Sequence, residues 1–204
     1  MTITIIMMIS QIRKKIINSK VKTKPFPYIF IRNIFDDSYV DELNNFLPSY
    51  NNLNGKEIMF QSKSKSKKTI LPSSTTYKKL SKKKEFRNLN KYFKDLKLEI
   101  IKKFNRQINI YVKQKVFPSR LKYHSSYSVM KKGYKKSPHL DRRDHLIHMI
   151  YYSDAEASKG GEIILNKINK NIKKEYDIFP ARSSLKVFKK YKVTKNSLLV
   201  ILNV

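Results

Sequence analysis

Between Phe86 and Phe104, seven apolar or aromatic residues (Phe86, Leu89, Tyr92, Phe93, Leu96, Ile100 and Phe104) recur at steps of three and four. That spacing puts them on one face of an α-helix, a stripe that must be buried against something. Downstream the pattern changes to alternation or short apolar runs. They fall at Gln107–Val112, Lys122–Met130, His145–Tyr152, Glu162–Leu165, Leu185–Phe188 and Ser197–Val204, and such runs predict strands. Helices first and short strands afterwards predict an α+β chain with a mostly antiparallel sheet, as in a sandwich or jelly roll.

The first half also carries Pro25–Ile31, which reads as a strand with a proline-marked start. Asp36 or Asp37 can cap a following helix, where Tyr39, Val40, Leu43 and Phe46 recur at helical spacing, and Pro48 ends it. Ser49–Ser74 is polar and lysine-rich and reads as a loop region. Met1–Ser10 is apolar, with Arg13, Lys14 and Lys15 after it. A secretory signal has the reverse order, so residues 1–24 read as an N-terminal extension or short helix. Residues 25–204 then form a single domain, with a helical, lysine-rich part at 25–106 and a strand-rich part at 107–204.

Composition bounds the rest. The chain has 204 residues, the length of one domain. Its 40% apolar and 12% aromatic content is too high for a disordered chain. The absence of cysteine excludes a disulfide framework, a thiolate zinc site and a cysteine nucleophile. With no export signal, it also points to the cytoplasm. No apolar run reaches the roughly 18–20 residues of a membrane span.

Lys plus Arg number 45 against 15 acids, a net charge of +30. Gln61–Lys103 holds 15 cations against 3 acids, and Asn166–Asn196 holds 10 against 2. Such clusters attract polyanions with strong salt dependence. The cations are mostly lysine, in a chain also rich in Ile and Asn, the residues that AT-rich codons specify. Part of the charge therefore reports composition rather than a ligand.

The chemistry-bearing residues gather in one window. Three of the four glycines and three of the four histidines lie from Gly133 to Gly161. His139 and Asp141 are two apart, so in an extended segment both point to the same side. An imidazole and a carboxylate side by side can take adjacent positions on Fe(II), as in a site of two histidines and one carboxylate. His145 shares their parity but lies about 13 Å beyond Asp141 along an extended strand. It becomes an alternative third ligand only if the chain turns at Arg142–Asp144. His148 has the opposite parity, and His124 has no partner in view.

The order around these residues is Tyr127, Gly133, His139-x-Asp141, a strand ending Tyr151-Tyr152, and Gly160-Gly161-Glu162 opening another strand. It resembles the iron(II)- and 2-oxoglutarate-dependent oxygenase superfamily, in its prolyl-4-hydroxylase-like branch. Pro25–Pro48 is similar to the strand and helix that open many such domains. Val193–Asn203 looks like the family's penultimate core strand, so the likeness covers most of Pro25–Val204. It implies a double-stranded β-helix (jelly-roll) core with helices packed on the sheet. His139 and Asp141 would be iron ligands, and Tyr127 a hydrogen-bonding contact of 2-oxoglutarate. Fe(II) and 2-oxoglutarate are the implied cofactors, ascorbate is admitted beside them, and the reaction is hydroxylation of a C–H bond. Peptidyl, small-molecule and glycan substrates are all hosted by such scaffolds.

In that family a second iron histidine and a basic residue for the distal carboxylate follow the penultimate strand. The sequence stops at Val204, before both, so the resemblance implies a C-terminally truncated oxygenase with its last strands missing. Two other readings stand beside it. One is a basic nucleic-acid-binding protein without catalysis, the other a degenerate oxygenase fold kept as a scaffold.

Overall fold

The computed structural model describes residues 2–53, 60–61, 66–112, 115–131, 133–134, 136–139, 145–155, 162–168, 180 and 182–203. It is mixed α+β, with three small antiparallel sheets.

The core is built around one apolar strand. Strand β8 (Ser197–Leu202) lies between β1 (Tyr28–Arg32) and β5 (Ile147–Tyr152), antiparallel to both. Its sequence, Ser-Leu-Leu-Val-Ile-Leu, is apolar on both faces because both are covered. Leu198, Val200 and Leu202 meet Ile29, Ile31, Met149 and Tyr151 on one face, where the helices pack. Leu199 and Ile201 meet Tyr28, Phe30 and Ile150 on the other. That second face is covered by a hairpin of β6 (Ile163–Ile168) and β7 (Leu185–Tyr191), through Ile163, Leu165 and Tyr191.

The helical layer comprises α1 (Thr2–Asn18), α2 (Asp37–Asn44), α3 (Thr75–Lys82), α4 (Lys84–Asp95), α5 (Lys97–Lys103) and α6 (Asn105–Tyr111). The stretch 1–24, read as an extension, packs into the main core. Ile12 and Ile16, one turn apart on α1, are completely buried there. Arg13 Nε meets Glu99 Oε1 of α5 at 3.0 Å and ties the two helices together.

Three expectations are corrected. The Phe86–Phe104 stripe is not one straight helix. The chain changes direction at Leu96 (ψ −5°) and Phe104 (ψ 6°), both fully buried. Bonds from Leu96 N to Tyr92 O and from Ile108 N to Phe104 O carry the helical ladder through both joints. Gln107–Val112, expected as a strand, belongs to α6 over residues 107–111. Ile108 continues the helical spacing of Ile101 and Phe104 into the core, while Ile110, the alternate position a strand would bury, is 62% exposed. The Ser49–Ser74 region contains ordered strands, β2 (Phe60–Gln61) and β3 (Lys67–Ile70). Strand β3 is held by pairing with β4 (Tyr127–Met130) and by the Thr69–Ser128 hydroxyl contact of 2.8 Å, although its own sequence is mostly polar.

Asn196 closes the core. It sits in the left-handed region at φ 62°, just before β8. Its Oδ1 accepts from Phe35 N at 3.0 Å, and its Nδ2 donates to Phe35 O at 2.7 Å. No helix among the described residues is long and apolar enough to cross a membrane.

Burial leaves a signature in the phenols. Desolvation raises Tyr28, Tyr39, Tyr127 and Tyr151 well above the ordinary tyrosine range. It also pushes Tyr123 and Tyr152 up to about 12. A phenol whose folded pKa is raised stabilises the fold fully below its unfolded value of about 10 and loses that contribution as pH climbs past it. Absorbance titration of the 13 tyrosines should therefore show only a subset ionising near the ordinary value. The rest should ionise cooperatively with loss of circular dichroism. A single gradual transition of all phenols near pH 10 would contradict this packing.

Candidate functional site

The predicted site residues lie around the segment that joins β4 to β5. Lys131 N, just after β4, donates to Ser66 O at 2.8 Å, and Tyr134 N donates to Lys131 O at 3.1 Å. Gly133 turns the chain at φ +83°, where a side chain would be strained. Asp141 lies outside the described residues, as do Gly160 and Gly161. Glu162 is exposed just before β6.

His139 is half-buried, with Nδ1 3.1 Å from Ser137 O. A carbonyl only accepts, so in this contact Nδ1 is the donor. Metal-binding histidines are commonly oriented in this way, through a donor bond from the second ring nitrogen. Among the described residues no three His, Asp or Glu side chains converge on a common point.

His145 is exposed at the entry to β5, and its carbonyl accepts from Asn203 Nδ2 at 2.8 Å. Asn203 N also donates to Leu146 O at 2.9 Å, so the end of β8 clamps the start of β5. The His145 and His148 rings are 6.4 Å apart at 71°. His148 lies opposite Ile201, on the face of β5 that points toward the β6–β7 hairpin.

Tyr127 sits at the other end of this region. Its hydroxyl donates to Pro48 O at 3.2 Å, and its ring stands edge-on to Phe86 at 6.4 Å. Burial raises its pKa, and the Asp154 carboxylate beyond the end of β5 adds to the shift. The hydroxyl is thus neutral and faces the Asp154 end of β5. His145 precedes the opposite end of that strand.

Sequence reasoning did not find a concavity bounded by α3, α4 and the stretch leading into β4. Its only sequence signal was the lysine density of Gln61–Lys103. No family model, curated protein or solved structure matches the chain.

Proposed function

We propose that the chain is an iron(II)- and 2-oxoglutarate-dependent oxygenase domain, a hydroxylase, wound as part of a jelly roll. The chain path supports this. After β5 it leaves the central sheet, forms the β6–β7 hairpin over that sheet's second face, and returns as β8 beside β5. Adjacent strands linked by a hairpin in the facing sheet are the winding pattern of a Greek-key jelly roll.

The observation that carries the reading is His139. It lies on the segment entering β5, with its Nδ1 donating to the Ser137 carbonyl. In this reading His139 Nε2 and the Asp141 carboxylate hold the metal. The bound iron and 2-oxoglutarate supply an oxidation that hydroxylates a C–H bond. The Ser137 carbonyl orients the imidazole, and the Asn203 clamp fixes the end of the loop that bears it. In this reading Tyr127 belongs to the scaffold, because its hydroxyl is committed to Pro48.

Anaerobic titration of the purified chain with Fe(II) and 2-oxoglutarate tests this. The readout is the weak visible charge-transfer band of the chelated ketoacid. The band should form in the unaltered chain, persist in Tyr127→Phe, and vanish in His139→Ala and Asp141→Ala. A band indifferent to His139→Ala, or none at saturating concentrations, would remove the support for an iron site here.

A further inference from the structure

A groove of about 550 Å³ opens between α3, α4 and the stretch leading into β4. Arg87, Lys91 and Lys94 line it from α4, at positions i, i+4 and i+7. They share one face of the helix, while Phe86, Tyr92 and Phe93 are buried on the other. All three cations are exposed, and none takes part in an ion pair or side-chain hydrogen bond among the described residues. They contribute nothing visible to the fold. Asp95 is the acid beside them.

A cluster of neutral polar groups sits within the groove's largely apolar lining. Tyr77 Oη contacts Asn90 Oδ1 at 3.1 Å and Ser125 Oγ at 2.6 Å. The Tyr123 phenol, pushed up to about 12 by burial, stays protonated beside them. A cationic rim over hydroxyl and amide groups suits phosphate oxygens. The row of cations runs for about 10 Å along the helix, which is long enough to engage more than one phosphate. A concave groove also does not lie flat on a lipid surface, and a flexible single strand follows a concave wall more readily than a stiff duplex does. From this geometry we infer that the groove binds the phosphodiester backbone of a single-stranded nucleic acid. Arg87, Lys91 and Lys94 take the phosphates.

The inference stands apart from the iron site, and its test contains no metal. Binding of a short fluorescein-labelled oligothymidylate is followed by anisotropy over a salt series. The combined variant Arg87→Gln/Lys91→Gln/Lys94→Gln is expected to lose about tenfold or more in affinity. Its slope of log K against log salt should flatten by about 2, since each single-strand phosphate contact contributes roughly 0.7. Lys186→Gln/Lys189→Gln/Lys190→Gln removes as much charge from the exposed lysines of β7 and should cost far less. Thermal melts matching the unaltered chain show that both variants fold. Equal losses in the two variants would mean a diffuse charge effect and overturn the assignment. So would an unchanged groove variant, or a loss confined to binding of phosphatidylserine vesicles.

Discussion

Replacing Phe35 by alanine is expected to cost about 3–5 kcal/mol, the usual price of removing a buried aromatic ring. For a domain of this length that is a fall in melting temperature of roughly 6–20 °C. Phe35 is 3% exposed on the link between β1 and α2. Its ring meets Tyr39 at 5.2 Å, Phe93 at 5.9 Å and Tyr151 at 5.1 Å, the last two edge-on. It is the point where α2, α4 and β5 converge. Phe35→Leu fills much of the volume and should cost clearly less. Differential scanning calorimetry of the two variants separates the cases. A loss under about 1 kcal/mol in the alanine variant would mean that the site collapses without penalty and the ring is no hub.

Asn196→Ala is expected to cost about 3 kcal/mol or more, read as a lower urea midpoint at unchanged slope. Asn196 is 1% exposed, and its amide satisfies both the N–H and the C=O of Phe35. Truncation leaves these two groups unpaired in the core, and alanine is strained at φ 62° where asparagine is tolerated. Asn196→Gly relieves the backbone strain alone, so the gap between the two variants measures it. Asn196→Asp keeps an acceptor for Phe35 N but sets a carboxylate against Phe35 O and the nearby Asp37. It should be no better than alanine. Full stability in Asn196→Ala would show that water or a rearranged turn replaces the amide.

The candidate site was legible to different depths. His139-x-Asp141 was visible as a pair because a two-residue spacing is local information. The contact between His139 Nδ1 and the Ser137 carbonyl could not be read, since the rotation of the ring and not the spacing sets it. Tyr127 was legible as a half-buried strand tyrosine. Its partner Pro48 lies 79 positions away, and only folding brings the two together. The row Arg87, Lys91, Lys94 was hidden in a lysine-rich stretch, and only the floor formed by Tyr77 and Ser125 turns one helix face into a groove.

By itself the sequence determined which segments must be buried. The stripe from Phe86 to Phe104, the apolar run Tyr28–Ile31 and the run Ser197–Leu202 carry too much apolar surface to remain in water, whatever they pack against. It also determined the turn at Gly133 and the net charge. The tertiary structure decided everything that depended on a distant partner. Ile108 and Ile110 alternate as a strand would, yet the segment is helical because Ile108 completes a core begun by Ile101 and Phe104. Lys67–Ile70 has almost no strand signal, yet it pairs with β4 because its backbone groups find a ladder there. The N-terminal segment reads as an extension, yet Ile12 and Ile16 of its helix pack into the central core. Periodicity records how much surface a segment must hide, whereas the choice of element rests on which neighbour is there to hide it.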